Sequence, residues 1–172
     1  SFTNVNNQFF IQEHNSQNHS YIVGENQFIN TNYTDEFLIS ENHYLPTEKK
    51  DCIQLKEEIE PYQIDWRKNH KVSSVKNQGH CGGCWAFSSS GAIESAWAIK
   101  NNVLYNLSQQ ELIDCSTDYG NKGCQGGSMD LGFKYVIDNG LCTNLSYPYQ
   151  ATEQECQSNQ CNSVINISKY GD

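Results

Sequence analysis

The sequence predicts an α+β fold, mainly helical, that occupies residues 61–172 and follows an acidic segment unable to build a core alone. Three observations carry this. Three stretches show helical patterning, after Cys84, after Ser108 and from Met129, and short extended stretches follow them. Seven of the eight cysteines lie between Cys81 and Cys161, which points to a disulfide framework and an oxidising compartment. Charge also changes along the chain. Residues 1–59 hold 3 basic and 9 acidic side chains, and residues 60–172 hold 8 and 11.

The 172 residues suffice for one domain plus an appendage. A net charge of −9 disfavours nucleic acid or an anionic membrane as a partner. No apolar run approaches the length of a membrane span. The N-terminus shows no charged-then-apolar leader, so a signal peptide is expected to be absent or already removed. Mean hydropathy is −0.70, and much of the polarity is Asn and Gln in the first part. Five Asn-x-Ser/Thr sequons begin at Asn18, Asn32, Asn106, Asn144 and Asn166.

Residues 1–45 read as one segment. Phe9, Phe10 and Ile11 precede Gln12–Asn15 as a helix end, Tyr21–Val23 as a short strand turned by Gly24, and Asp35–Ser40 as one or two helical turns. This part is too thin in Leu, Ile and Val for its own core. Residues 46–60, charged and weakly patterned around a lone Cys52, read as a linker.

From Pro61 the character changes. Trp66, Val72 and Val75 lead into Gln78-Gly79-His80-Cys81-Gly82-Gly83-Cys84. A helix follows, with Trp85, Ala92, Ala96 and Ile99 on one face, many Ser and Ala residues that suggest tight packing on most sides, and Asn101-Asn102 as its stop. Cysteine reacts as its thiolate. The start of a helix favours negative charge, so a helix opening at Cys84 suits a nucleophile there. The preceding glycines leave room for a substrate backbone. Ser108 and Glu111 form a capping box that starts a short helix through Leu112, Ile113 and Asp114. Gly120–Gly127, with Cys124 inside, reads as a loop held by a disulfide. Met129, Phe133, Val136 and Ile137 mark a third helix, ended at Asn139-Gly140. Tyr147-Pro148-Tyr149 is extended, and Val164–Ile167 reads as a strand.

These pieces carry a resemblance. Asp65-Trp66-Arg67, Val75–Gly79, Cys81–Ser88, Leu107–Leu112, Asp114-Cys115, Gly123–Gly127 and Tyr147–Tyr149 stand in the order and near the spacing of papain-family cysteine peptidases, closest to the cathepsin L-like branch. Gly83 stands where the family signature has Ser or Ala. Asn7, Ile11 and Asn15, then Gly24, Asn26 and Phe28, resemble the two motifs of the family's inhibitory propeptide. Asn30 replaces the Asp that closes the second.

The resemblance implies a peptidase precursor. Residues 1–45 would be the C-terminal part of a propeptide that acts as an intramolecular inhibitor, often released by acid. Residues 46–60 would be the activation region and 61–172 the mainly helical left domain, with the β-rich right domain missing. It implies Cys84 as nucleophile. Gln78 and the Cys84 N–H would donate to the oxyanion, and one such donor is worth a factor of about 10²–10³ in rate. Gly126 and Gly127 would pair with the substrate backbone. Ser128 and Met129 would wall the pocket for the second residue before the cut. It implies the disulfides Cys81–Cys124 and Cys115–Cys156, leaving Cys142 and Cys161 as a third pair. No cofactor or metal is implied, and the partners are a peptide or protein substrate, the propeptide and the right domain. The location implied is a lysosome-like acidic vacuole or the extracellular space.

One element of the pattern is absent. The family's catalytic His lies roughly 130–150 residues after the cysteine, with an orienting Asn later still. Only 88 residues follow Cys84, and none of the histidines at 14, 19, 43, 70 and 80 is among them. The expectation is therefore a precursor truncated after the left domain and inactive alone. Two other readings stay open: a non-catalytic binding or inhibitory module, and a Cys81-x-x-Cys84 dithiol oxidoreductase.

Overall fold

The structure is a computed structural model that describes residues 2–26 and 64–171. The predicted turns at 35–40, the linker at 46–60 and Cys52 lie outside the described residues. The described residues fall into two compact units, 2–26 and 64–171.

The first unit is helix α1, Phe2–Ser16, and the chain that turns back along it. Asn15 makes that return. Its Nδ2 donates to the Val23 carbonyl at 2.7 Å, and the Val23 N–H donates to its Oδ1 at 2.8 Å. Val23 thus pairs with a side-chain amide, and Tyr21–Val23 is no strand. His14 and His19 stack at 4.1 Å beside Tyr21. Gln8 donates to Glu25 at 3.0 Å.

The second unit is built on α2 (Cys84–Asn101), α3 (Gln109–Cys115) and α4 (Met129–Asn139), with 3₁₀ turns at Thr117–Tyr119, Gly123–Gln125 and Ser158–Gln160. α2 packs against both α3 and α4. Its stop is as read. Asn102 takes the left-handed conformation at φ 60° and returns its N–H to the Ala98 carbonyl. Gly140 ends α4 at φ 75°.

The buried face of α2 differs from the predicted one. Trp85, Ala86, Ser89, Ser90, Ile93, Glu94 and Ala98 point inward, whereas Ala92 and Ala96 are exposed and Ile99 is 44% exposed. The burial of Ser89, Ser90, Ala86 and Ala98 agrees with the tight packing that the Ser and Ala content suggests, but the apolar face is turned from the one expected. Here Ser and Glu are inside because they find partners. The Gln109 amide donates to Ser90 Oγ at 2.7 Å, and Glu94 accepts from Lys76 Nζ at 2.6 Å, Ser73 Oγ at 2.6 Å and the Leu107 N–H at 2.8 Å. On α4 the inward residues are Gly132, Tyr135 and Val136, while Met129 is exposed. Gly132 lets the two helices approach, since a Cβ there would lie 2.8 Å from Ser89 Oγ.

The capping box of α3 is half formed. Ser108 Oγ accepts from the Glu111 N–H at 3.0 Å, which caps the helix. Glu111 does not return the bond. Its carboxylate accepts from the Tyr135 hydroxyl at 3.0 Å and the Cys142 N–H at 2.7 Å. Ser108 N–H goes instead to the Cys142 carbonyl.

Among the described residues no strand forms. Two isolated antiparallel bridges stand in for a sheet, Leu107 with Thr143 and Leu141 with Ile165. The stretch read as a strand at 164–167 contributes one bridge residue. Trp85, Ile93, Leu107, Leu112, Ile113, Tyr135, Val136, Leu141 and Ile165 form the core around which this unit closes. Disulfides Cys81–Cys124 and Cys142–Cys161 tie its loops and turns together, and Cys115–Cys156 ties the end of α3 to a later loop.

Candidate active site

Cys84 is the first residue of α2 and is exposed, and among the described residues it is the one cysteine outside a disulfide. Gly83 caps the helix without a side chain, and its carbonyl accepts from the N–H groups of Ala86 and Phe87. A Cβ at Gly83 would lie 2.9 Å from Ile113 Cδ1. A side chain at this position would have to displace the terminal methyl of Ile113 on α3.

The loop before Cys84 is pinned from three sides. Gly82 N–H donates to the Cys124 carbonyl at 2.9 Å, next to the Cys81–Cys124 disulfide. Gly79, at φ 61°, donates to Asn77 Oδ1. Tyr149 Oη donates to the Gln78 carbonyl at 2.7 Å, while its ring meets Phe87 edge-on at 4.9 Å. Tyr149 thus fixes the backbone of Gln78 to the first turn of α2. Its role was not visible in sequence beyond the Tyr-Pro-Tyr motif.

The second wall is the 121–129 loop. Trp85 Nε1 donates to the Gly123 carbonyl at 3.2 Å. Asn121 Oδ1 accepts from the Ser128 N–H at 2.8 Å, and its Nδ2 donates to Ser116 Oγ at 2.9 Å. Gly126 sits at φ 113°, a conformation that favours glycine, and its carbonyl accepts from the Lys122 N–H. A Cβ on Gly127 would lie 2.5 Å from Asn121 Oδ1 and 2.7 Å from Trp85 Cε2. Neither the N–H nor the C=O of Gly127 has a hydrogen-bond partner among the described residues. Gly127 is exposed, so its backbone edge is open to an incoming chain. Met129 is 45% exposed and its carbonyl accepts from Ser89 Oγ at 3.4 Å. The structure thereby brings Gly127 against Trp85, next in sequence to Cys84.

Two buried carboxylates lie behind these walls. Burial raises the pKa of Glu111 above the ordinary carboxylate range, against the opposing bonds from Cys142 and Tyr135. Burial likewise raises Asp114, which accepts from Gln110 Nε2, Tyr147 Oη and the Gln154 N–H. Burial beside Asp114 pushes the Tyr147 hydroxyl up to about 12. Glu111 lies with the sulfurs of Cys142 and Cys161 within 4.8 Å, but those sulfurs are bonded to each other and offer no metal thiolate. Among the described residues no helix is long and apolar enough to cross a membrane.

Comparison with known proteins agrees with this geometry. The profile of the family described as "Papain family cysteine protease" matches residues 60–172. The chain is 54% identical to cathepsin L1 of Drosophila melanogaster over 101 residues, 58% of this chain and 27% of that protein. It is 41% identical to the probable cysteine protease RD21B of Arabidopsis thaliana over 169 residues, 95% of this chain and 36% of that protein. The chain therefore spans about a third of the length of these relatives. Among solved structures, the proform of the ragweed pollen cysteine protease Amb a 11 aligns with a TM-score of 0.81 and 31% identity, covering 96% of this chain and 54% of that one. Digestive procathepsin L 3 of Tenebrio molitor aligns at 0.71 and 36%, covering 97% and 56%. The chain belongs to the papain family of cysteine proteases.

Proposed function

We propose that this chain carries the nucleophile half of a cysteine endopeptidase, in precursor form. The observation behind it is the exposed, unpaired Cys84 on the first turn of α2, flanked by a stapled loop and an open glycine edge. Cys84 Sγ attacks the scissile carbonyl. The oxyanion is met by the Cys84 N–H and the Gln78 side-chain amide. Gly126 and Gly127 align the substrate backbone, and Ser128 and Met129 border the pocket for the second residue before the cut. An acyl-enzyme forms and water releases it.

The base that takes the Cys84 proton is not among the residues after Cys84 in this sequence. The mechanism assigns that step to a histidine outside these 172 residues, with an Asn to orient it. Residues 1–45 act as the inhibitory propeptide and 46–60 as the activation segment, a reading supported by alignment with two proforms over nearly the whole chain. Three disulfides and a cathepsin L-like ancestry favour an acidic vacuole or the extracellular space as its location.

The test compares residues 1–172 with the longest open reading frame containing them, on a fluorogenic dipeptide amide after acid treatment. The longer protein should cleave it, Cys84→Ala should abolish cleavage, and residues 1–172 should be silent. Turnover by residues 1–172 alone would remove the need for an outside base. Turnover that survives Cys84→Ala would remove Cys84 from the mechanism.

A further inference from the structure

Four sequons lie in the described residues, and the structure treats them differently. Asn106-Leu107-Ser108 is closed at its second and third residues, although Asn106 itself is exposed: Leu107 and Ser108 are fully buried, and the Ser108 hydroxyl both caps α3 and donates to the Tyr147 carbonyl at 2.7 Å. Its Asn106 carbonyl accepts the Asn144 N–H at 2.8 Å, so the sequons at 106 and 144 share one corner of the fold. Asn166 turns its Nδ2 to the Ile137 carbonyl at 3.2 Å. Asn18 is exposed.

Asn144-Leu145-Ser146 is arranged otherwise. Asn144 Oδ1 accepts the Tyr149 N–H at 3.2 Å, so the amide oxygen is held by the protein. Its Nδ2 has no partner among the described residues. That is the orientation a glycosylated asparagine needs, with oxygen inward and nitrogen free. The turn Thr143–Ser146 leaves Asn144 half-buried and exposes the rest of the tripeptide, with Leu145 92% exposed and Ser146 exposed while its hydroxyl donates to the Thr143 carbonyl at 3.0 Å. A polar groove of about 260 Å³ opens beside it, lined by Ser146, Gln150, Gln154, Gln157 and Gln160 among others. Glutamine amides offer both donors and acceptors to sugar hydroxyls.

We propose that Asn144 carries an N-linked glycan, seated over Leu145 at the mouth of this groove, and that the sequon at Asn106 on the same corner stays bare. The inference rests on the secretory route given above and not on the role of Cys84. In the transfer, Nδ2 bonds to the anomeric carbon of an oligosaccharide supplied by a lipid-linked diphosphate donor. The bond from that carbon to the phosphate oxygen breaks, the lipid diphosphate leaves, and the amide gives up one proton.

The experiment expresses the full protein in a eukaryotic secretory host and maps glycopeptides before and after peptide-N-glycosidase. Asn144 should be occupied and Asn106 unoccupied. Asn144→Gln and Ser146→Ala should each lower the intact mass by one glycan. Ser146→Ala keeps the Asn144 side chain, so a loss in both variants does not depend on folding of one of them. A bare Asn144 in protein with formed disulfides, or a glycan at Asn106, would overturn the proposal. The readout needs no peptidase activity, so it stands or falls apart from the catalytic reading.

Discussion

Lys76→Met is the most informative single change outside the reacting groups. Glu94 lies fully buried on α2, and Lys76 Nζ, 2.6 Å from its carboxylate, is its cation, with Lys76 21% exposed at the side chain. Met preserves most of the Lys stem and removes only the charge. The buried carboxylate then keeps two neutral donors, Ser73 Oγ and the Leu107 N–H. Breaking a buried pair by removing one partner costs about 3–5 kcal/mol. The two surviving donors place this case at the lower end, about 3 kcal/mol. With a urea m-value of about 2 kcal/mol/M, the unfolding midpoint should fall by about 1.5 M. Glu94→Gln in the same background should recover part of that, because no buried charge then lacks a cation. A double-mutant cycle should show coupling of about 1–3 kcal/mol. The assay is equilibrium urea unfolding followed by tryptophan fluorescence, with Trp85 in the core as reporter. A Lys76→Met loss under about 0.5 kcal/mol, or additive behaviour in the cycle, would refute the argument that this pair bears on stability. The pair also joins the segment leading to Gln78 with the helix that begins at Cys84.

Glu111 and Asp114 predict a pH response. Burial raises both above their ordinary values, so the folded unit binds protons more readily than the unfolded chain. Their contribution is full below the ordinary carboxylate range and is lost as pH rises through the raised folded values. Thermal midpoints should therefore fall as pH rises above about 4, and Glu111→Gln with Asp114→Asn should flatten that slope. A slope unchanged in the double variant would contradict it. Gly127→Ala should both destabilise the 121–129 loop by about 1–3 kcal/mol and lower kcat/KM of the active peptidase, since the added Cβ meets Asn121 and Trp85. Wild-type melting and turnover in that variant would show that the loop has slack.

Local signals were legible in the sequence and long-range ones were not. The start of α2 at Cys84, the Ser108 cap and the glycine end of α4 each depend on a few neighbouring residues, so each could be read directly. The buried face of α2 could not, because Ser90 and Glu94 are made inward-facing by Gln109, Lys76 and Ser73, up to 21 residues away. Glu111 failed to close its capping box for the same reason: Tyr135, 24 residues on, offered a buried hydroxyl. The glycines of the site were read for the space they leave to substrate. The structure adds that Gly127 also leaves no space for a Cβ against Asn121 and Trp85, while Gly83 packs closely on the Ile113 side chain. Tyr149 was seen only as part of an extended motif, yet its hydroxyl holds the Gln78 backbone.

The staple beside Cys84 has a redox consequence. Cys81 is 1% exposed and bridges to Cys124, while Cys84, three residues away, is open to solvent. A small thiol reagent reaches an oxidised Cys84 more readily than the bridge, whose Cys81 is buried and whose Cys124 is only partly exposed. Mild reductant should therefore restore a thiol lost to mixed disulfide or sulfenic acid and leave the bridge intact. Stronger reduction should open the bridge and part the Cys84 loop from the Gly126–Gly127 edge. On the proposed function, such a peptidase would work within a window of reducing strength, bounded below by an oxidised Cys84 and above by an unstapled loop.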